Sequence, residues 1–165
     1  MTVGDRAAPL TALGRGLAEE VVRSGPVVGV GIDAVDLERF GRALERRASL
    51  ADRLFTAGEL AYARAASDPV PRLSTRFAAK EAVMKALGVG LGAFPFHTVE
   101  VVRVGLDAPG LVLSGAAGEL ARRSGVARWH LSLTHTADVA MALVVAEGGA
   151  SEVSADRPAT SWRRR

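Results

Sequence analysis

The 165-residue chain contains no cysteine. That excludes a disulfide framework, a thiolate nucleophile and any cysteine-ligated zinc or iron–sulfur centre, and it suits a reducing cytoplasm. No apolar run approaches the ~18 residues of a membrane span, and the N-terminus lacks the apolar core of a signal segment. Excess charge is scarce too. The formal net charge is only +3, so the isoelectric point of about 10.1 reflects arginine's high pKa more than a strong positive field. A balance this small does not argue for a nucleic-acid partner. Lysine is nearly missing: of 21 basic residues only Lys80 and Lys85 are lysines. Arginine replaces lysine on a solvated surface, but not where a compact ammonium is needed. The two lysines lie within one and a half helical turns of each other. Either this is chance in an arginine-rich composition, or this short segment needs ammonium groups. What is present, 48% hydrophobic and 24% charged residues, reads as one globular domain with room for short extensions.

Along the chain, residues 1–26 read as an N-terminal extension with Leu10, Leu13, Leu17 and Val21 at helical spacing, ended by Ser24-Gly25-Pro26. Residues 27–147 form the core. Val27 to Ile32 reads as a buried strand and Asp36 to Arg47 as a helix with Leu37, Phe40 and Leu44 on one face. Thr56 and Glu59 are spaced as a capping box before a helix from Leu60 to Ala66, which Asp68-Pro-Val-Pro71 breaks. An Ala-rich helix then opens at Ser74 or Thr75, runs through Leu87 and closes at Gly88. A glycine-rich loop follows. Strands are expected at 99–104, 111–113, 129–134 and 139–146, with a short helix over 118–124. Residues 148–165 are polar, end in three arginines, and read as a disordered tail. Helices and strands mix without βαβ alternation, so the fold class expected is α+β, a single small domain with a mostly antiparallel sheet.

Three segments carry chemistry. Projected at 100° per residue, the segment from Arg72 to Leu87 has a narrow apolar stripe of Leu73, Phe77 and Met84. Arg76 and Lys80 flank it on one side, Glu81 and Lys85 on the other, both at i,i+4 spacing. Such a set can bind polyphosphate oxygens through its bases and a divalent ion through its carboxylate; it is also what an ordinary solvated helix with salt bridges looks like. The second segment is Gly31-Ile-Asp33-Ala-Val-Asp36. Asp33 falls at the end of the expected strand, facing a crevice, and can join Glu81 as a ligand to Mg²⁺. Asp36 is either a helix N-cap or a further carboxylate. In the third, Trp129 to His135, residues alternate apolar and polar, with His135 just beyond the strand as a cation or hydrogen-bond donor. His97 has no comparable setting.

In this order the three segments resemble the phosphopantetheinyl transferases, specifically the small holo-[acyl-carrier-protein] synthase type. The resemblance rests on Gly31-Ile-Asp33 with Leu37-Glu-Arg-Phe40, then Arg76-Phe-Ala-Ala-Lys-Glu-Ala-Val-Met-Lys85-Ala-Leu-Gly88, then Leu131-Ser-Leu-Thr-His135. Phe77 stands at the aromatic position of the family's aromatic-x-x-Lys-Glu-Ala-x-x-x-Lys pattern. The likeness spans residues 27 to 147 and leaves both extensions uncovered. It implies an enzyme that uses coenzyme A and Mg²⁺ to place 4′-phosphopantetheine on a serine of an apo-acyl carrier protein, releasing 3′,5′-ADP. It implies Asp33 and Glu81 as metal ligands and Lys85 on the phosphates. Arg76 and His135 would hold the nucleotide end of CoA with its 3′-phosphate, and Lys80 would be a further CoA-binding residue. Asp36 stands where glutamate is more usual, which demotes it to a cap or to an outer position. The general base is Glu81 or a metal-bound water. Arg39, Arg42 and Arg46, at i, i+3 and i+7, form a basic stripe suited to an acidic carrier protein, Arg39 matching a carrier-contacting position of the family. A homotrimer is implied, with CoA between neighbouring subunits: Asp33, Glu81 and Lys85 from one chain, His135 from the next.

Two other readings compete. A non-enzymatic binding domain for an acidic partner would use the same arginine stripe and need no metal. A dinucleotide-binding protein would use Gly29-Val-Gly31-Ile-Asp-Ala34, which satisfies G-x-G-x-x-G/A, but it would put Asp33 against a pyrophosphate, and the chain lacks room for two βαβαβ halves.

Overall fold

The computed structural model describes residues 25–47, 49–104 and 108–149. The helix expected within 1–26 and the tail expected over 148–165 lie outside these, apart from Gly25, Pro26, Gly148 and Gly149. In order come β1 (Val27–Asp36), α1 (Leu37–Arg46), α2 (Ser49–Leu54), α3 (Ala57–Arg64) and α4 (Val70–Ala86), then a short 3₁₀ turn at Phe96–Thr98. There follow β2 (Val99–Val104), β3 (Ala108–Leu113), α5 (Gly115–Arg123), β4 (Val126–His135) and β5 (Val139–Gly148). The architecture is α+β: β1, β5 and β4 form one antiparallel sheet in that order, and β2 and β3 a second.

Helix α4 is the axis of the fold. It begins at Val70, earlier than the sequence suggests, because the Pro69-Val-Pro71 segment starts this helix instead of merely ending the one before it. Proline costs nothing in a first turn, whose N–H groups have no intrahelical partner, and the Asp68 carboxylate accepts the Val70 N–H at 2.9 Å. The narrow apolar stripe is also replaced by something broader. Ala78, Ala79, Ala82, Val83 and Met84 are all buried, as are Ser74, Thr75, Arg76 and Lys80, so the helix is enclosed on most of its circumference. Gly88, at φ +69°, ends it, with its N–H on Lys85 O and that of Val89 on Met84 O.

The sheet lies hard against this helix. A methyl on Gly29 would meet Ala86 O at 2.0 Å, and one on Gly31 would meet Ala82 O at 1.9 Å. Across the ladder, β5 presents Ala140, Ala142 and Ala146 on the same side, all essentially inaccessible. The Gly-x-Gly pattern therefore serves close strand–helix packing within an antiparallel sheet, which removes the dinucleotide-binding reading. β1 is also longer than expected. Asp33 lies within it, not at its end, and the period-two alternation that buries Gly31 and Val35 turns Asp33 toward α4 as well. Val30, Ile32, Met141 and Leu143 stand on the opposite, exposed face.

The other side of α4 packs on a phenylalanine run. Phe77 stacks between Phe40 and Phe96, at centroid distances of 4.9 and 5.4 Å. The Thr56–Glu59 capping box forms as its spacing suggests, and Asp36 caps α1 by accepting the Arg39 N–H at 2.8 Å. Helix α2 has no counterpart in the sequence reading, being too short to show a period. Among the described residues no helix is long and apolar enough to cross a membrane.

Candidate active site

Two elements set the first part of the site. Asp33 comes from the inner face of β1 and Glu81 from α4, brought together by the glycine contact just described. Asp33 is only 9% exposed. Its Oδ1 receives Lys85 Nζ at 2.8 Å, and the same ammonium donates to Ile32 O at 2.9 Å. Its Oδ2 is buried without a hydrogen-bond partner. Glu81 stands beside it, and its carboxyl is pushed above the ordinary value, first by burial and then by the Asp33 charge, with Lys85 pulling the other way. One ammonium thus serves two crowded carboxylates. An orphaned buried carboxylate oxygen next to a second carboxylate fits a hard divalent cation that keeps most of its own waters. No cluster of three or more His, Asp or Glu side chains forms among the described residues, so the protein offers two carboxylates and no closed cage.

This pair opens into a cleft of about 500 Å³ whose walls include Phe40, Phe77, Leu50, Leu54 and Phe96, with Leu91 of the glycine loop at the rim. Arg39 and Asp36 line its mouth. Of the basic stripe on α1, Arg42 is paired with Glu38, and Arg46 Nε donates to Arg42 O at 3.1 Å, so Arg39 is the member that looks into the cleft. Asp36, occupied as a helix cap, sits outside the carboxylate pair.

A second pocket of about 270 Å³ contains Arg76 and His135 together, with Tyr62, Arg72, Arg103 and Thr134. It shares no residue with the first. His135 is the last residue of β4, not beyond it; the alternation that turns Leu131 and Leu133 toward the core puts it on their side of the strand. Arg76 is 5% exposed, its Nη1 donates to Arg72 O at 3.1 Å, and its Nε has no partner. Burial lowers its pKa, against the attraction of Tyr62 and Glu59. Sequence spacing found Arg76 and His135. Arg72, one turn before Arg76, was within its reach by the i,i+4 rule. Tyr62 and Arg103 come from α3 and β2, and nothing local ties them to the pocket.

Lys80 belongs to neither pocket. Expected among the CoA-binding residues, it lies in the core with no exposed surface. It pairs with Glu59 at 2.8 Å and donates to Phe96 O at 3.1 Å and to Val99 O. Glu59 in turn accepts the Val101 N–H at 2.9 Å and the Thr56 N–H at 3.0 Å. The amphipathic projection failed here because α4 is buried on the Lys80 side too, so a charge at that position has nowhere to reach but inward.

The sequence profile of the 4′-phosphopantetheinyl transferase superfamily matches residues 29–144. The chain belongs to that superfamily. Its members include a holo-[acyl-carrier-protein] synthase of Frankia casuarinae, 50% identical over 121 residues, a match covering 73% of this chain and 98% of the relative. The fold is likewise that of the family. The crystal structure of holo-[acyl-carrier-protein] synthase from Neisseria meningitidis superposes with a TM-score of 0.68 at 35% identity, over 74% of this chain and 99% of that one. A holo-(acyl-carrier-protein) synthase from Bacillus anthracis, solved in complex with CoA (3′,5′-ADP), superposes at 0.62 with 31% identity, over 74% and 98% of the two chains. The transferase motifs of this chain thus lie wholly within the matched residues.

Proposed function

We propose that this chain is a holo-[acyl-carrier-protein] synthase, which transfers 4′-phosphopantetheine from coenzyme A to a serine hydroxyl of an apo-acyl carrier protein and releases 3′,5′-ADP. The observation that carries the reading is the Asp33–Glu81 pair in an apolar cleft, with Lys85 bonded to Asp33, in a chain of this superfamily. The serine oxygen forms a bond to the pantetheine-side phosphorus, and the bond from that phosphorus to the bridging oxygen breaks, sending the electron pair to 3′,5′-ADP. Such a transfer asks the protein mainly for positioning and charge neutralisation, and the nucleophile is the partner's, so no activated Ser or Cys is needed. Lys85 neutralises phosphate oxygens. Asp33 and Glu81 are the residues that would hold Mg²⁺, which supplies charge neutralisation at the pyrophosphate. Glu81, whose carboxyl burial and then Asp33 hold above its ordinary value, is also suited to accept the serine proton. Arg76 and His135 bind the nucleotide end, and Arg39 meets the acidic carrier at the cleft mouth. A chain without cysteine is suited to the cytoplasm.

The two-pocket arrangement supports a homotrimer. Glu81 follows Arg76 by five residues, about 140° further round the helix, and the two pockets share no wall. A ligand as long as CoA engages both kinds of pocket most readily where one subunit's Arg76 and His135 face another's Asp33 and Glu81. The exposed apolar face of Val30, Ile32, Met141 and Leu143 gives the surface on which such subunits can meet.

The direct test is incubation with CoA, Mg²⁺ and an apo-carrier protein, read by intact mass. Addition of phosphopantetheine is expected; an unmodified carrier alongside tight, metal-independent carrier binding would leave a binding domain instead. Complementation tests the assembly. Glu81→Ala and His135→Ala chains should each be nearly inactive, and activity should partly return when they are unfolded together and reassembled. A mixture as inactive as its components, with subunit exchange demonstrated, would place each site within one chain.

A further inference from the structure

Tyr62 touches every guanidinium of the second pocket. Its ring centroid lies 4.1 Å from Arg76 Cζ, 4.6 Å from Arg72 Cζ and 5.4 Å from Arg103 Cζ. Its hydroxyl receives Arg103 Nη1 at 3.3 Å, and its backbone carbonyl receives Arg72 Nη1 at 2.9 Å. Three cations drawn from α4 and β2 are thus gathered around one aromatic residue of α3. They repel one another: after burial, which is the larger cause, the Arg72 charge also lowers the pKa of Arg76. The negative face of an aromatic ring offsets such repulsion without neutralising the charges. Arg72 Nη1 and Arg76 Nη1 donate to backbone carbonyl oxygens, which leave the guanidinium charges in place. Arg76, nearly fully buried, still has an unpartnered Nε. A buried donor without an acceptor, among guanidiniums held in place by π and carbonyl contacts, is built for an anion with several oxygens.

We infer that Tyr62 is a positioning and specificity-determining residue: by holding Arg72, Arg76 and Arg103 beside His135, it makes the pocket select nucleosides that carry a second, terminal phosphate on the ribose. The inference rests on the proposed reading of the chain as a CoA-dependent transferase and adds the residue that sets its donor selectivity. Tyr62 touches the arginines and acts through them. A phosphate monoester, with up to two charges and three oxygens, gains from clustered guanidiniums, whereas a ribose hydroxyl gains little.

The experiment compares the full-length protein with its Tyr62→Phe and Tyr62→Leu variants. Binding of 3′,5′-ADP and of 5′-AMP is measured by calorimetry, and transfer from CoA and from 3′-dephospho-CoA by intact mass. The parent should prefer 3′,5′-ADP. Tyr62→Phe keeps the ring and should keep that preference within about twofold. Tyr62→Leu should weaken 3′,5′-ADP about tenfold, the size of one lost charge-assisted contact, with 5′-AMP nearly unchanged. In transfer, the KM for CoA should rise while kcat and the values for 3′-dephospho-CoA hold. Equal weakening of both nucleotides, or of neither, would overturn the role of Tyr62. If the parent binds the nucleotides but transfers from neither donor, the transferase reading falls, and the binding series still decides on Tyr62. Should Tyr62→Leu fail to fold by circular dichroism, Arg72→Gln tests the same pocket: a severalfold loss confined to 3′,5′-ADP supports the clustering, and an unchanged preference overturns it.

Discussion

The two lysines of this chain make the same bond in opposite surroundings. Lys80 and Lys85 each hold a carboxylate at 2.8 Å, but the Glu59–Lys80 pair is fully buried, while Lys85 is half exposed beside Asp33. Burial lowers the pKa of Lys80 despite the attraction of Glu59. Desolvation therefore outweighs the ion pair's own attraction, as is common for buried pairs. What holds Lys80 in place is the fit of one small head to three acceptors: Glu59, Phe96 O and Val99 O. A guanidinium is too large for that slot, which explains why a chain that otherwise uses arginine keeps lysine there. Lys85 answers a different need. Its ammonium is half exposed beside Asp33, with solvent on the side away from the carboxylate. The same residue type, five positions apart, serves architecture once and, in the proposed function, chemistry once.

The comparison breaks most sharply at the core pair. Lys80→Met should cost about 3–5 kcal/mol, because it leaves Glu59 buried without its counter-charge. Chemical denaturation would show it. Lys80→Arg should also destabilise, by about 1–3 kcal/mol from overpacking. Removing both charges with Glu59→Gln and Lys80→Met should recover part of the loss, so a double variant as unstable as the worse single one would count against this account of the pair.

At the Asp33–Lys85 pair the expected effects are mainly on turnover. Lys85→Met should lower kcat by about 10²–10³, the scale of one lost transition-state donor, and should destabilise less than Lys80→Met because its pair with Asp33 is partly solvated. Lys85→Arg should be harmful too, since a planar fork cannot replace a point charge. Unlike the core case, neutralising Asp33 along with Lys85 should restore nothing, because the function needs the charges themselves. A Lys85 variant with full activity would make both lysines structural.

Acidity separates the two pairs by a smaller margin. Glu81 takes up its proton more readily folded than unfolded. Between its ordinary and its raised pKa the folded chain therefore binds more protons, and without divalent ions its stability falls as pH rises through that window. Stabilisation by Mg²⁺, which needs the carboxylate, should grow over the same window. Thermal melts against pH with and without Mg²⁺ should converge on the acid side, and Glu81→Gln should flatten both trends. Parallel curves at every pH would separate Glu81 from the cation.

The smallest expected effect lies at the cleft mouth. Arg39→Glu should raise the KM for the carrier protein about tenfold at low salt, as for a lost contact of about 1.4 kcal/mol, with the KM for CoA within about twofold. The same reversal at Arg42, already paired with Glu38, should do less. Equal effects would point to general charge instead of docking at Arg39.

Most of the candidate site was legible because its residues sit in short, regular segments. Asp33 was marked by its strand, and Glu81 and Lys85 by helical spacing. Thr56 and Glu59 declared the start of α3. What escaped was non-local. No spacing within α4 reveals that Glu59, twenty-one residues earlier, waits beneath Lys80, and none in β2 brings Arg103 to Tyr62. The proline pair before α4 misled for a different reason: proline both ends and begins helices, and only the tertiary context separates the two.

The absent side chains at Gly29 and Gly31 have one more consequence. Asp33 is two residues from Gly31, and Ala82, whose carbonyl Gly31 almost touches, adjoins Glu81. The distance between the two carboxylates is therefore gauged by the thickness of a backbone contact, not by the side chains that carry the charge. A single methyl at position 31 would act as a shim, lifting β1 off α4 and spreading the carboxylates while leaving both in the sequence. Because small and large divalent ions ask for different oxygen spacings, such a shim would be read out as a change in which metal the protein prefers. If Asp33 and Glu81 hold the cation as proposed, metal choice is a property of strand–helix clearance.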